Sequence, residues 1–437
     1  MAAAVRSGKA ELTDTIFAIS SGRPPAAIAV IRVSGPAAQA AAVALAGALP
    51  APRTAALRTL RHGRAVLDSA LVLHFPGPKS ATGEDLVELH CHGGRAVVAS
   101  IEAALALQPG VRRAEPGEFT RRALTNGRID LMEAEGLADL LEAETEAQRV
   151  AAMGAAGGRL SARTREWLDT VALLSARVEA LLDYAEEDDV ADDAAAIDAI
   201  LSGMETLRLH IMQALATPSV ERLRSGASVV IAGPPNTGKS TLLNLLAERE
   251  VAIVSPISGT TRDRIEAPVV RAGLAVMLID TAGLNDADDP VEAMGVARAE
   301  EAIAQADVVL WLGDELPPRQ DAIWVHARCD MAGREVVPPA RDVAVSSDDP
   351  VSIARLWDLV AARCATLLTS MNDMPAMRDH QRRACIDAAN ALAIRARDLL
   401  LLGEAMAIAR RRLASLLGID ATESMLDALF ARFCLGK

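Results

Sequence analysis

The chain has 437 residues, and its 45 basic and 58 acidic side chains give a formal net charge of −13 at pH 7. Such an acidic chain is not expected to grip RNA along its whole surface, so we predict that any RNA contact is local or made mainly by a partner. Five scattered cysteines without a CxxC pair favour a reducing compartment. The first residues lack the apolar core of a secretory signal, and no run reaches about 18 uninterrupted apolar residues, so we predict a cytoplasmic protein without a membrane span.

The N-terminal part of the chain, up to residue 128, is predicted to be an α/β domain. Apolar runs flank a Gly/Pro turn within 15–33 and predict two strands. Further strands are predicted at 70–75 and 86–91, and a helix is predicted at 95–107.

The middle and the end of the chain are predicted to be a helical domain with an α/β domain inserted into it. Apolar residues recur at helical spacing between 129 and 223, as at Leu131, Ala134, Ala138 and Leu141. The acidic run 186–193 is interpreted as a solvated loop or helix end rather than a metal site. Helical sequence returns from 371 to 437. Between these halves, buried strands of a mostly parallel sheet are predicted at 228–232, 275–279, 308–312, 323–326 and 343–345.

A phosphate-binding loop is predicted at the first of these strands. Residues 233–240 read GPPNTGKS, a complete G-x-x-x-x-G-K-S between an apolar strand and a helix-compatible run. Backbone N–H groups and the helix N-terminus favour phosphate there. Lys239 is expected to reach the β and γ phosphates, and the Ser240 hydroxyl is expected to ligate Mg²⁺. The predicted contacts in this loop are Asn236, Thr237, Gly238, Lys239, Ser240 and Thr241.

Two later segments complete the predicted phosphate side of the site. Residues 258–263 read SGTTRD, where a threonine can ligate Mg²⁺ and sense the γ-phosphate. Residues 280–283 read DTAG after an apolar strand. Asp280 can hold the Mg²⁺ shell through water, and the Gly283 N–H can touch the γ-phosphate. Thr281 and Ala282 are included in this predicted contact segment.

Guanine recognition is predicted after the strand at 323–326, where an N-K-x-D element would stand. The chain reads Ala327, Arg328, Cys329, Asp330 there. Asp330 can accept from the guanine N1–H and N2–H groups, and the Arg328 stem can cover the base. Ala327 lacks the amide that would tie this loop to the phosphate loop, so we predict GTP over ATP with affinity weakened by about 0.5–1.5 kcal/mol. Ser346 and Ser347 are candidates for the last base contact.

Several segments resemble the tRNA-modification GTPases of the MnmE (TrmE) family over nearly the whole chain. They are FCLGK at 433–437, PGEFTRRALTNGRIDL at 116–131, TGEDLVELHCHGG at 82–94 and the opening TIFAISSG with AIAVIRVSG. The resemblance implies an N-terminal folate-binding-like α/β domain, a helical domain and an inserted P-loop (Ras-like) G domain at 224–370.

The resemblance also implies roles in cation binding and hydrolysis. Asn236 matches a K⁺-coordinating asparagine, and Thr261 matches the Mg²⁺ ligand. Glu292 matches the catalytic glutamate that orients the attacking water through a second water. The family's K-loop corresponds to Ser255, Pro256, Ile257, Ser258, Gly259, Thr260 and Thr261, with K⁺ ligands expected from Ser255, Ile257 and Thr260. G domains of the family form a homodimer across GTP, and K⁺ takes the place of an arginine finger there.

In the N-terminal domain the resemblance implies binding of 5-formyl-tetrahydrofolate or a related one-carbon tetrahydrofolate. The matching folate contacts are Arg32, Glu88, Arg128 and Lys437. Cys434 matches the cysteine of the C-terminal motif and is a candidate catalytic residue. The adjacent His90, Cys91 and His92 are interpreted as structural, because neighbouring strand positions face opposite sides of a sheet.

The implied reaction adds a carboxymethylaminomethyl or aminomethyl group to C5 of the wobble uridine of tRNA. An FAD-dependent partner (MnmG-type) would share the work in a heterotetramer, and FAD would sit on that partner because this chain has no G-x-G-x-x-G. A ribosome-assembly GTPase is an alternative that requires a KH-like or basic appendage. Two further alternatives are a non-enzymatic GTP-dependent scaffold and a folate-binding module with a vestigial G domain. K⁺ against Na⁺ hydrolysis assays, and titration with folate and GTP analogues, discriminate between them.

Overall fold

The computed structural model describes residues 14–184, 193–247, 251–252, 266–281, 292–368, 375–419, 429–430 and 436. The chain divides into two compact units, Met1–Ala138 with Ala414–Lys437, and Asp139–Leu413. In the described part of the chain, no helix is long and apolar enough to cross a membrane.

The first unit is built on a six-stranded sheet. Its strands are β1 (Thr15–Ile19), β2 (Ile28–Ser34), β3 (Ala56–His62), β4 (Ala65–Phe75), β5 (Leu86–His92) and β6 (Val111–Arg113). Their order is β3-β4-β5-β2-β1-β6, with antiparallel neighbours except for the parallel pair of β1 and β6. Alternation along β2 buries Ala29, Ile31 and Val33, which join the core formed with helices α1 (Ala38–Ala46) and α2 (Arg95–Ala106).

Helix α3 (Glu118–Thr125) and the start of α4 (Leu131–Glu142) complete this unit together with the C-terminal residues. Leu131, Ala134 and Ala138 form a small apolar cluster with Leu429 and Phe430. The chain at Gly117 has φ 72°, and a Cβ there would lie 2.5 Å from the carbonyl oxygen of Phe430. Only glycine fits this position, because the two backbones approach so closely.

The second unit combines helices with a seven-stranded sheet. The helices before the sheet are α5 (Glu146–Ala156), α6 (Arg159–Tyr184), α7 (Asp193–Ala214) and α8 (Val220–Ser225). The elements of the sheet region are β7 (Ala227–Ala232), α9 (Lys239–Ala247), β8 (Val251–Ala252), β9 (Glu266–Arg271), β10 (Leu274–Asp280), α10 (Glu292–Gln305), β11 (Val308–Trp311), β12 (Ile323–Ala327), β13 (Val343–Val345) and α11 (Pro350–Leu368). Helices α12 (Asp379–Ala391) and α13 (Leu399–Leu416) follow them, and α13 runs on into the first unit.

This second sheet has the order β13-β12-β11-β7-β10-β9-β8. The pairs from β13 to β10 are parallel, while β9 pairs antiparallel with both β10 and β8. Its strands β7, β10, β11 and β12 pack with helices α9 and α11 around one core, which contains the fully buried Trp357 of α11. The parallel strands therefore bring the loops at their carboxyl ends to one edge of the sheet.

The predicted strands and the predicted helix at 95–107 are confirmed within one or two residues, except that β4 begins earlier than predicted, at Ala65. Strands β3, β6, β8 and β9 were not predicted. The domain boundaries after residues 128, 223 and 370 stay predictions. The acidic run 186–193 lies outside the described residues as far as 192, and Asp193 begins α7.

Candidate nucleotide-binding site

The predicted phosphate loop joins β7 to α9 at the carboxyl edge of the second sheet. β7 ends at Ala232 and α9 begins at Lys239. Within the loop, the Thr237 hydroxyl donates to the Pro234 carbonyl at 2.9 Å. Asn236 is exposed and has φ 62°, a left-handed conformation that asparagine tolerates better than most residues. The turn thus precedes the helix N-terminus directly, which is the arrangement that favours a bound phosphate.

Lys239 is folded back onto this loop. The residue is 6% exposed, and its Nζ donates to the carbonyl oxygens of Gly233 and Pro234, both at 2.9 Å. Burial lowers the pKa of Lys239, and the negative charge of Asp280 opposes that shift. Neutral carbonyl groups therefore hold the ammonium group where a phosphate oxygen would be a stronger partner.

Ser240 and Asp280 meet beside the lysine. The Ser240 hydroxyl donates to Oδ2 of Asp280 at 2.5 Å, and Asp280 is 4% exposed at the end of β10. The next residue, Thr281, donates from its N–H at 3.3 Å and from its hydroxyl at 3.0 Å to the carbonyl of Ile231. These bonds fix the end of β10 against β7, so the serine and the aspartate predicted from separate motifs lie together.

The predicted base-binding residues lie on the loops after β12 and β13. The Cys329 N–H donates to the carbonyl of Val345 at 3.3 Å and joins the two loops. Arg328 has φ 59° and is exposed. Its Nε lies 3.3 Å from the point that a Cβ on Gly238 would occupy, so the guanidinium packs against the last glycine of the phosphate loop.

The other predicted base contacts differ in their exposure. Asp330 and Ser347 are exposed, whereas Ser346 is buried and its hydroxyl accepts from the Asp348 N–H at 3.1 Å. The structure therefore brings the described part of the phosphate motif and the base motif to the same sheet edge.

A second polar group lies on the first sheet. Arg32 and Glu88 are direct cross-strand partners, and the Arg32 Nη2 is 2.8 Å from Oε1 of Glu88. His90 Nε2 is 3.2 Å from the other carboxylate oxygen, and the Arg32 guanidinium lies 5.8 Å from the centre of the Phe119 ring. Burial acts to raise the pKa of Glu88, but the hydrogen bond and charge of Arg32 outweigh it and leave the pKa below its ordinary value.

Of the two remaining predicted folate contacts, Lys437 lies outside the described residues, and Arg128 contacts a different segment. The exposed Arg128 donates from Nε to the carbonyl of Ser80 at 3.1 Å. Gly436 accepts from the Ser20 hydroxyl at 2.8 Å, at the end of β1. Cys91 is 2% exposed, whereas the side chain of His92 is 73% exposed and is bonded to Asp68, which confirms that these neighbours face opposite sides.

Several predicted site residues lie outside the described part of the chain. They are Ser255, Pro256, Ile257, Ser258, Gly259, Thr260, Thr261, Ala282, Gly283, Cys434 and Lys437. Glu292 is the first residue of α10, but its side chain is not described. No motif or spacing in the sequence marks Asp314 and Arg334, although Arg334 donates to the Ala327 carbonyl and pairs with Asp314.

The strand–loop–helix unit, the buried lysine and the serine–aspartate pair at the edge of a mostly parallel sheet define a P-loop nucleotide-binding fold. Residues 15–128 match the family model of the GTP-binding protein TrmE N-terminus, and residues 131–434 match that of the MnmE helical domain. The resemblance inferred from the motifs is therefore confirmed: the chain belongs to the MnmE family of tRNA-modification GTPases.

Similar proteins cover the chain almost completely. The tRNA modification GTPase MnmE of Erythrobacter litoralis (strain HTCC2594) is 51% identical over 428 residues, which are 97% of this chain and 100% of that protein. The protein of the same name from Rhizorhabdus wittichii is 49% identical over 436 residues, 98% of each chain. Among solved structures, Era in complex with MgGDPNP and nucleotides 1506–1542 of 16S ribosomal RNA matches 40% of this chain and 69% of its own, with 24% identity and a TM-score of 0.25.

Proposed function

We propose that this chain is a cytoplasmic, K⁺-stimulated GTP hydrolase that works with tRNA and an FAD-dependent partner to add a (carboxymethyl)aminomethyl group to C5 of the wobble uridine. Membership of the MnmE family supports GTP hydrolysis and the link to tRNA modification. The observation that carries the proposal is the meeting of Lys239, Ser240 and Asp280 at the P-loop.

The P-loop side chains fit a nucleotide triphosphate with Mg²⁺. On GTP binding, Lys239 would exchange two neutral carbonyl partners for charged phosphate oxygens. Ser240 and Asp280 offer the oxygen ligands that Mg²⁺ prefers, and Thr261 is proposed as a further ligand. When bound, Mg²⁺ would neutralise charge on the phosphates. Asp280 would hold the Mg²⁺ shell through water.

The proposed K⁺ site and catalytic group depend on residue matches to the family. Asn236 stands exposed on the phosphate loop, where its side-chain oxygen is available to a cation. Ser255, Ile257 and Thr260 would add oxygens, and G domains of two copies would close over the nucleotide as a homodimer. Glu292 would orient the attacking water through a second water.

The folate proposal rests on Arg32, Glu88, Arg128 and Lys437. Glu88 is held as a carboxylate by Arg32, so it can accept from the amino-pyrimidine edge of a pterin. Arg128 and Lys437 suit the negatively charged tail of a tetrahydrofolate. Cys434 is proposed to take part in the modification chemistry.

The first experiment compares GTP hydrolysis by the full chain in KCl and in NaCl at equal ionic strength. Hydrolysis is expected to be strongly stimulated by K⁺, and Asn236→Ala is expected to lose the stimulation. Asn390→Ala, an exposed asparagine of α12, makes the same chemical change away from the P-loop and is the matched control. Equal rates in the two salts would refute the K⁺ mechanism, and no hydrolysis in either would favour a non-enzymatic scaffold.

The folate site is tested separately by calorimetric titration with 5-formyl-tetrahydrofolate. Glu88→Gln is expected to weaken binding by about tenfold or more, because it removes a charged hydrogen-bond acceptor. Glu115→Gln changes an exposed carboxylate of the same unit and is expected to bind as the wild type does. Equal binding by all three proteins would rule out the proposed role of Glu88.

A further inference from the structure

In the base-binding loop, an arginine contacts Ala327, the position at which an N-K-x-D element would carry asparagine. Ala327 is 8% exposed, and its carbonyl oxygen accepts from Nε of Arg334 at 2.9 Å. The backbone carbonyl of Arg334 is in turn 2.9 Å from Nε2 of His326. Arg334 therefore contacts the end of β12 through both its side chain and its main chain. The contacted residues directly precede the segment with Arg328 and Asp330.

The other end of the Arg334 guanidinium reaches the loop after β11. Its two terminal nitrogens donate to the two carboxylate oxygens of Asp314 at 3.0 and 3.1 Å. A planar guanidinium pairs with a carboxylate in this fork geometry, which fixes direction as well as distance. The hydrogen bond from Arg334 holds the pKa of Asp314 below its ordinary value although burial opposes it. One side chain thus bridges two loops at the nucleotide edge of the sheet.

Arg341 secures the same loop from a second direction. Its side chain is 4% exposed, with the guanidinium 4.1 Å from the centre of the Trp324 ring. It donates to the carbonyl of Gly313 at 2.7 Å and to the Asp314 carboxylate at 3.1 Å. Asp314 is therefore bonded to two arginines, and one of them, Arg341, also bonds the neighbouring Gly313.

The loop after β11, which contains Gly313 and Asp314, contacts the phosphate loop directly. A Cβ on Gly233 would lie 3.2 Å from the backbone nitrogen of Gly313, so the two backbones are in close contact. Next to them, the Leu312 N–H donates to the carbonyl of Ala232 at 2.8 Å. A continuous path of contacts thus runs from Ala327 through Arg334, Asp314 and Gly313 to Gly233.

We propose that Arg334 and Asp314 are positioning residues that tie the base-binding loop to the phosphate loop in place of the asparagine amide that Ala327 lacks. This proposal rests on the proposed GTP binding. Neither residue contacts the nucleotide in this proposal. They act by fixing the position of Ala327, Arg328 and Asp330 relative to Gly233 of the phosphate loop. The Asp314 side chain is 67% exposed, so the role depends on the fork geometry and on the bond from Arg334 to the Ala327 carbonyl; a surface ion pair without them would have no effect on guanine binding.

The test measures the affinity of the full chain for fluorescent mant-GTP, together with KM and kcat for GTP hydrolysis and the melting temperature. Arg334→Ala is expected to weaken mant-GTP binding about tenfold by removing charge-assisted hydrogen bonds. KM should rise and kcat should stay unchanged, because the phosphate side of the site keeps all its groups. Arg334→Lys retains the charge without the fork, so it is expected to fall between the wild type and Arg334→Ala.

A rescue variant makes the test specific. Adding Ala327→Asn to Arg334→Ala is expected to restore most of the affinity, since the amide supplies the missing tie directly. Arg163→Ala removes a part-exposed arginine paired with Glu166 on α6, and it is the matched control with no expected change in affinity.

The outcomes separate this proposal from the proposed function. If the wild type binds mant-GTP and both Arg334 variants bind it equally well, the positioning role is wrong while GTP binding stands. If Arg334→Ala weakens binding but Ala327→Asn does not restore it, the claim that Arg334 takes the place of the asparagine amide is wrong. If the wild type binds no guanine nucleotide, the proposed function fails and the positioning role fails with it.

Discussion

Replacing Arg122 of α3 is predicted to destabilise the first unit. Its side chain is 1% exposed and is paired with three carboxylates: Asp14 at 2.8 Å, Glu84 at 3.2 Å and Glu118 at 3.0 Å. Arg122→Met keeps much of the volume but removes the charge, so Glu84, whose side chain is only 14% exposed, loses its ion pair with Arg122, while Glu118 keeps its pair with Arg112 at 2.6 Å. Removing one partner of a buried ion pair costs about 3–5 kcal/mol, because the remaining charge stays desolvated.

The assay is urea unfolding of the full chain followed by two signals. All four tryptophans lie at positions 167, 311, 324 and 357, within the second unit, so their fluorescence reports that unit while far-UV circular dichroism reports both. Arg122→Met should lower the free energy of unfolding in the circular dichroism signal. Arg149→Met removes an exposed partner of Glu146 and should leave the free energy of unfolding nearly unchanged. An Arg122→Met loss no larger than that of Arg149→Met would refute the argument from burial.

Three further predictions concern specificity, acid sensitivity and thiol reactivity. Asp330→Asn should shift preference from GTP to the xanthine nucleotide, measured by competition for mant-GTP, because an amide can donate where the carboxylate only accepts. Burial acts to raise the pKa of Glu118, but the hydrogen bond from Arg112 leaves it below the ordinary 4.5. The stability that the Glu118 carboxylate contributes is therefore present above pH 4.5 and is lost as the pH falls through the lowered pKa, so Glu118→Gln should flatten the dependence of urea unfolding on pH below 4.5. Iodoacetamide at about pH 8 should modify the part-exposed Cys329, as read by mass spectrometry, and spare the thiols whose pKa burial raises to about 11 or 12, namely Cys91, Cys364 and Cys385.

The strands that form the centres of the two sheets could be predicted from the sequence because they are continuous or alternating apolar runs. The strands that were missed lie towards sheet edges, where burial does not impose such a pattern. β3 reads ALRTLRH and fully buries only Leu60, and β9 carries Pro268, which argues against a strand in the interior of a sheet. β6 has three residues, and β8 has two. Edge strands are specified by their neighbours more than by their own residues.

The phosphate side of the site could be predicted because its residues are contiguous and their spacing is required by backbone geometry. Lys239 and Ser240 follow the loop directly, and Asp280 follows the neighbouring parallel strand. The pairing of Arg32 with Glu88 could not be predicted, since it depends on the register of β2 against β5 over 56 residues of sequence. Single residues were identified there, but their contact was not.

Ala327 shows how far a departure from a motif can be interpreted without the fold. Taken alone, the missing amide predicts a fixed loss of about 0.5–1.5 kcal/mol in nucleotide affinity. That estimate assumes that no other group holds the loop, whereas Arg334 contacts the Ala327 carbonyl and reaches Asp314, 20 residues earlier in the chain. The free-energy effects of substituting residues that share such a contact do not add, so the gain in nucleotide affinity from an asparagine at 327 depends on whether Arg334 is present. The free-energy gain from Ala327→Asn should therefore be larger in the Arg334→Ala background than in the wild type, and equal gains would show that the two ties are independent.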